Sequence, residues 1–226
     1  MATHNQPRGL TTRTANMMRR REKILDCAGR MIAEDGLDAM TLAKLADRAG
    51  VTIPTIHNLL GKKADILFAL VDSRLALVMQ TVAELDRNDA IAAVEDFVDR
   101  LICLLGTDDI LFRAAFIAGE RIKYFEQKSA SGVFARSLEQ ARQICQDASA
   151  RGDLEGRIET DQIAQRLFAS QRLARQDWMN GYITLEAYRL QVLTGMYITL
   201  CADAAPDFKD RLVDKIEAIR SQCGGQ

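Results

Sequence analysis

The chain has 226 residues with a formal net charge of −1, only three prolines, 6% aromatic residues and five cysteines. That length buries a real core and holds one small domain plus a larger one, and so few helix breakers predict an all-α protein. Cys27, Cys103, Cys145, Cys201 and Cys223 are odd in number and form no C-x-x-C pair, which argues against a disulfide framework or a zinc site.

The N-terminus has no apolar signal region, and no apolar run approaches the length that spans a bilayer. The expectation is a cytoplasmic protein with no membrane partner, no cofactor and no metal. The near-neutral net charge hides an asymmetry. Residues 1–63 hold 11 Lys and Arg against 6 Asp and Glu, or +5, and the remainder holds 19 against 25, or −6. A positive N-terminal module attracts polyanions while the negative remainder keeps off them.

Residues 1–18 are rich in Thr, Asn and Gln, with Pro7 and Gly9, and read as a flexible arm whose Arg8 and Arg13 are placed to enter a minor groove. From Arg19, the residues Ile24, Cys27, Ala28, Met31 and Ile32 follow the spacing of an amphipathic helix. Arg19 to Arg21 stand at its start, where the helix dipole opposes positive charge, so an external phosphate backbone would compensate them. Thr41 then caps a short helix carrying Leu42, Leu45, Ala46 and Ala49. Gly50 closes it and Thr52 caps a second helix, in which Pro54 suits the first turn and Ile56, Leu59 and Leu60 can face inward. This is a helix-turn-helix signature. Thr52, Ile53, Thr55, His57 and Asn58 are left for other faces, where such compact groups meet base edges and phosphates, with Lys44, Lys62 and Lys63 as phosphate partners.

The run Met40-Thr41-Leu42 through Ala46, Ala49-Gly50-Val51-Thr52, Pro54-Thr55-Ile56 and Lys63 resembles the DNA-binding domain of TetR-family transcriptional regulators. The match extends upstream through Arg21, Ile24, Leu25, Ala28 and Glu34-Asp35-Gly36, and downstream to Ile66-Leu67. The chain departs from the family at His57, Leu59 and Leu60, where the family usually has Tyr, Tyr or His, and Phe. The resemblance implies a three-helix DNA-binding domain over 19–63, after the arm of 1–18, and a helical effector-binding and dimerisation domain over 64–226. The DNA-binding residues it implies, together with the helix reading, are Thr41, Lys44, Thr52, Ile53, Pro54, Thr55, His57, Asn58 and Lys63.

Beyond Gly61 a long helix is predicted over Lys62 to Asp86, followed by a turn at Asp86-Arg87-Asn88-Asp89. Helices follow from Ile91 to about Gly106, from Asp108 to Gln127 with apolar residues on more than one face, and from Val133 to Ala148. After the glycine-bearing stretch Gly152 to Gly156, a helical pair spans Thr160 to Met179 and Thr184 to Ala202, joined at Asn180-Gly181. Its stripes, Ile163, Leu167, Ala174 and Trp178 on one helix and Leu190, Leu193, Met196, Tyr197 and Leu200 on the other, fit either a four-helix bundle with a second copy or the core of one subunit. The hairpin, its RGDLEGRI loop and the Trp178-x-x-Gly181 spacing resemble the family's dimerisation region. A last short helix begins at Pro206 and carries Phe208, Leu212, Ile216 and Ile219.

The resemblance further implies an effector pocket in the larger domain. Candidate walls are Phe97, Leu101, Phe112, Phe116, Phe134, Leu138 and Phe168, and candidate polar anchors are Arg100, Arg113, Arg121 and Arg172. These suit a largely apolar small molecule with an anionic group. No G-x-S-x-G, P-loop, dinucleotide glycine fingerprint or H-E-x-x-H is present, and the two histidines are His4 and His57, so an enzyme is not expected. The expected function is a homodimeric regulator of double-stranded DNA, a repressor released from a palindromic operator by an effector. The competing expectation is a helical protein-protein interaction module.

Overall fold

The computed structural model describes residues 8–81, 89–126 and 133–223. Among these it holds ten α-helices: α1 Arg8–Asp35, α2 Leu42–Ala49, α3 Ile53–Leu60, α4 Lys63–Thr81, α5 Ala90–Thr107, α6 Asp109–Arg121, α7 Val133–Arg151, α8 Thr160–Met179, α9 Leu185–Cys201 and α10 Pro206–Cys223. The fold is all-α, and the one isolated β-bridge among the described residues joins Leu154 to Ala204.

The chain divides into two compact units. The first takes residues 1–74 and 110–124, and the second takes 75–109 and 125–226. The division therefore falls within α4 instead of at Lys63, and α6 counts with the N-terminal unit.

In the first unit α1 packs on α2 and α3. Ile24, Leu25, Ala28, Met31 and Ile32 are buried on α1, as are Leu45, Ala46 and Ala49 on α2 and Ile56 and Leu60 on α3. Each large apolar side chain removed from water contributes roughly 1.5–3 kcal/mol. Gly29 lets α6 approach α1: a Cβ there would lie 2.5 Å from Leu111 Cδ2 and 3.6 Å from Leu70 Cδ1. Arg74 of α4 donates to Asp26 of α1 at 2.7 Å. Tyr124 packs its ring 5.2 Å from that of Phe68 and donates its hydroxyl to Asp72 at 3.0 Å. Burial, reinforced by that carboxylate, pushes the Tyr124 phenol up to about 12.

Two boundaries differ from the sequence expectation. Residues 8–18, expected to be an arm, continue α1, because between Gly9 and Gly29 no glycine or proline interrupts the backbone ladder once the apolar stripe has formed it. Helix α6 stops at Arg121 instead of Gln127: Lys123 takes a left-handed φ of 53° and a 3-10 turn covers Tyr124–Glu126. The end expected for α4 and the turn at Asp86 to Asn88 lie outside the described residues.

In the second unit α8 packs between α7 and α9, and α9 also packs on α5 and α10. The backbones of α8 and α9 come close at Gly195, where a Cβ would stand 3.1 Å from that of Ser170. Gly181, at φ 79°, turns the chain between them, and its N–H donates to the Trp178 carbonyl at 2.9 Å. Trp178 stacks on Tyr188 at 5.7 Å, and both are fully buried. The loop before α8 is organised from the far end of α9. The buried carboxylate of Asp203 accepts the backbone N–H groups of Gly156 at 2.9 Å, Arg157 at 2.9 Å and Ile158 at 3.1 Å. Helix α10 is strapped to α5 by Lys215 on Glu95 at 2.7 Å and by Arg211 on Asp89. Glu95 also accepts the Tyr197 hydroxyl at 2.8 Å.

Candidate nucleic-acid interface

The turn between α2 and α3 is built from capping. Thr41 accepts the Lys44 N–H at 3.3 Å and Thr52 accepts that of Thr55 at 3.3 Å, so both helix starts have a side-chain cap. Gly50 sits at φ 66°, ψ 42°. Its N–H donates to Asp47 O at 3.2 Å and the N–H of Val51 donates to Ala46 O at 3.0 Å, a Schellman closure. Gly61 ends α3 at φ 90°, ψ −143°, close against Asp65, whose carboxylate accepts the Lys62 N–H at 2.8 Å at the start of α4.

These ends fix which face of α3 looks outward. Ile56 is 0% exposed and Leu60 is 9% exposed, whereas Ile53 keeps 39% exposure. Thr52, Pro54, His57 and Asn58 are exposed, and Thr55 and Leu59 are half-buried. The Thr52 and Thr55 hydroxyls lie 2.8 Å apart and share a hydrogen bond. Thr41 and Lys44 are exposed at the start of α2. Lys63 is half-buried, and its ammonium donates to the Leu37 carbonyl at 3.0 Å, so this lysine also ties α4 to the loop after α1. The motif is further held to α1 by Arg48, which donates to Glu34 at 2.7 Å, and by the Cys27 thiol near the Arg48 carbonyl at 3.8 Å. The hydrogen bond from Arg48 holds the Glu34 carboxyl below its ordinary range.

The positive charge of residues 1–63 is concentrated in the N-terminal half of α1. Arg8, Arg13, Arg19, Arg20, Arg21 and Lys23 face a single acid, Glu22, so residues 8–23 carry the whole +5 of residues 1–63. Every side chain from Arg13 to Arg20 is exposed. Lys23 reaches the helix-turn-helix itself, with Nζ 3.8 Å from the Cβ position at Gly50.

The second unit shows where the residues of two sequence expectations lie within one chain. Of the stripes expected at a dimer interface, Ile163, Leu167, Ala174, Trp178, Leu193, Met196, Tyr197 and Leu200 are buried within the single chain, and Leu190 is half-buried. They belong to the subunit's own core, because α8 and α9 turn these stripes towards α7 and α5. Along α8, α9 and the turn between them the outward large apolar groups are Leu173, Tyr182 and Ile198, at 68%, 77% and 57% exposure. A groove of about 630 Å³ lies beside Ile198, lined by Ile158, Gln162, Arg166 and Ala202 among others.

The expected effector residues also divide. Phe97 and Phe168 line a cavity with Val94, Ser137, Gln140, Ala141, Ile144, Leu167, Gln171 and Met196. Its free volume is about 10 Å³, room for about one water. Leu101 and Leu138 are not among its lining residues. Phe112 and Phe116 are buried in the first unit, where Arg113 is half-buried, and Arg121 is exposed near Asp38 at 3.7 Å. Arg100 donates to Asp96 at 2.7 Å, and Arg172 is exposed. The Phe134 side chain lies outside the described residues. No arginine is among the lining residues: Arg100 pairs with Asp96, Arg172 faces solvent, and Arg175 lies over the Phe125 ring. Sequence reasoning missed Ser137, Gln140 and Gln171. Polar residues in a helical pattern read as solvent-facing, and only the packing of α7 on α8 encloses them.

No group of three or more His, Cys, Asp or Glu able to hold a metal occurs among the described residues, and no described helix is long and apolar enough to cross a membrane.

Residues 24–70 match the model of the bacterial regulatory proteins, tetR family. The chain is 34% identical over 89 residues to an uncharacterised HTH-type transcriptional regulator of Mycobacterium bovis, a match covering 39% of this chain and 47% of that protein. The chain thus spans about half the length of that relative. Among solved structures it is similar to the TetR family protein CprB from S. coelicolor A3(2), with a TM-score of 0.65 at 17% identity over 89% of this chain and 97% of that one. It is also similar to SmeT, the repressor of the Stenotrophomonas maltophilia multidrug efflux pump SmeDEF, with a TM-score of 0.64 at 21% identity over 83% and 92%. A SmeT-triclosan complex matches with a TM-score of 0.61 at 22% identity over 84% and 93%. At these identities the structural likeness speaks for the fold.

Proposed function

We propose that the chain, whose residues 24–70 match the model of the tetR family of bacterial regulatory proteins, is a sequence-specific repressor that binds a palindromic operator as a homodimer and leaves it when a small molecule binds. The observation that carries this reading is the outward face of α3. Thr52, Ile53, Pro54, His57 and Asn58 stay exposed while Ile56 and Leu60 anchor the same helix in the core.

On this reading α3 enters the major groove. Asn58 pairs with an adenine edge, Ile53 packs on a thymine methyl, and the linked Thr52 and Thr55 hydroxyls and His57 meet neighbouring bases or phosphates. The capped starts of α2 and α3 present backbone N–H groups to phosphates, joined by Thr41, Lys44 and Lys63. The basic half of α1 supplies the sequence-independent attraction. Two copies pair through the outer surface of α8 and α9 around Leu173, Tyr182 and Ile198. Two-fold symmetry then sets the reading helices about 34–36 Å apart, one turn of B-DNA, or a multiple of it. The effector occupies the cavity among α5, α7, α8 and α9; that the similar SmeT forms a complex with triclosan supports a small-molecule effector by analogy. Release requires only that the ligand bind two arrangements of the chain with different affinity.

A gel-shift titration of the full chain against a duplex from its own promoter region, with a scrambled duplex as competitor, tests this. The expected result is retention at low salt, affinity falling steeply with salt, and a residual preference for the true sequence. Absence of binding to any duplex at low salt overturns the reading and leaves a helical protein-interaction module.

A further inference from the structure

The cavity among α5, α7, α8 and α9 has a mixed lining. Val94, Phe97, Leu167, Phe168 and Met196 supply apolar walls, and Ser137, Gln140 and Gln171 supply polar ones. Ser137 is 8% exposed and Gln171 is 9% exposed, and neither side chain has a hydrogen-bond partner among the described residues. Their polar atoms are not among the fully buried unpartnered ones, which are Arg74 Nε, Asp96 Oδ2 and Trp178 Nε1 among the described residues, so they keep access to water, and a ligand that displaces that water has to return its hydrogen bonds. None of the lining residues is ionisable. Arg175, one turn along α8 from Gln171, turns its guanidinium to the Phe125 ring at 5.4 Å and does not join the lining.

We infer that this cavity is a binding site for an uncharged small molecule with an apolar body and an amide-like polar head that both donates and accepts hydrogen bonds, held through Gln171, Ser137 and Gln140. The inference rests on the effector reading above and names the chemistry of that effector. A carboxylate or ammonium would enter without a counter-ion and lose its hydration. A neutral head both gives and takes hydrogen bonds with a glutamine amide, which offers two donors and an acceptor. Ordinary ligands need several hundred cubic ångströms, whereas the free volume here is about 10 Å³. The walls must therefore part, with the unbranched Met196 repacking most readily. Binding is thereby coupled to movement of α7 against α5 and α8.

The test compares three probes sharing a ten-carbon chain: decanamide, decanoate and decyltrimethylammonium. Affinities for the full chain come from calorimetry and thermal shift, and a separate gel-shift assay reads release from DNA. The expected order is decanamide tightest by at least about tenfold, the worth of one well-made hydrogen bond to a buried group. Gln171→Met keeps the size and removes the amide. It is expected to raise the Tm of the ligand-free protein while lowering decanamide affinity about tenfold. A glutamine that merely held the helices together would lower the Tm. The inference is overturned if either charged probe binds as tightly as decanamide, if none of the three binds, or if Gln171→Met leaves decanamide affinity unchanged. Binding of decanamide without release from DNA supports the site and counts against the release mechanism alone.

Discussion

The ammonium of Lys63 donates to the main-chain carbonyl of Leu37 at 3.0 Å, joining the start of α4 to the loop that follows α1. Lys63 is thus both a candidate phosphate partner and a tie within the first unit. Lys63→Ala is expected to weaken DNA binding and to lower stability by about 1 kcal/mol. Lys62→Ala, at an exposed position, is expected to weaken binding with no change in stability. Chemical denaturation and a DNA titration of the two variants separate these effects, and equal stabilities would remove the structural role.

Gly29 and Leu111 form a packing pair that admits no extra methyl without movement. Gly29→Ala is expected to destabilise the protein by roughly 1–3 kcal/mol through overpacking, despite the better helix propensity of alanine. Trimming the opposing residue, as Gly29→Ala with Leu111→Ala, is expected to cost less than the two single changes summed. A double-mutant cycle on denaturation midpoints reads the coupling, and strict additivity would show that the two residues do not press on each other.

Asp203 gathers three backbone N–H groups on one buried carboxylate. Asp203→Asn retains a single oxygen and turns an amide donor towards donors, with an expected loss of about 1–3 kcal/mol. Hydrogen exchange at Gly156, Arg157 and Ile158 is expected to accelerate selectively. Unchanged protection at those amides would refute the latch.

The basic half of α1 predicts a kinetic and salt signature. Replacing Arg19, Arg20 and Arg21 with glutamine leaves the buried face of α1 intact, since Arg19 and Arg20 are exposed and Arg21 half-buried. The slope of log affinity against log salt is expected to become shallower by roughly 0.9 for each phosphate that is no longer neutralised. Sequence preference, which the proposed reading assigns to α3, is expected to persist. An unchanged slope would detach α1 from the DNA.

The ion pair of Glu34 with Arg48, at 2.6 Å, ties α2 to α1 in a pH-dependent way. The hydrogen bond from Arg48 lowers the Glu34 pKa in the folded chain below the ordinary 4.5. Its contribution is therefore fully present above about 4.5 and is lost as pH falls through the lowered folded value. Amide exchange within α2 is expected to speed up on acidification below that range, and Glu34→Gln is expected to abolish this part of the dependence. The same acid response in wild type and variant would assign it to other carboxylates.

The helix-turn-helix was legible from sequence because its determinants are local. Thr41, Gly50, Thr52 and Pro54 each fix the backbone within a turn of themselves, and the spacing of Leu45 and Ile56 needs no partner to be read. The body was legible as helices but not as faces. On α8 and α9 an apolar stripe marks burial without saying against what, so Leu167, Trp178 and Tyr197 read equally as interface or core, and the structure puts them in the core. Leu173 and Ile198, the outward groups, stand outside those stripes. The partners of Lys63 and Asp203 lie 26 and 45–47 residues away, beyond any pattern of sequence spacing.

The assignment of residues 110–124 to the N-terminal unit bears on how this molecule can be cut and recombined. A fragment ending at Thr81 would leave behind Leu111, Phe112 and Phe116, all buried in the intact chain, and with them the surface that seats against Gly29. The helix-turn-helix unit is therefore not a portable cassette. A chimaera that borrows it has to bring the α6 segment along, or it will gain a sticky, half-finished module in place of a folded one.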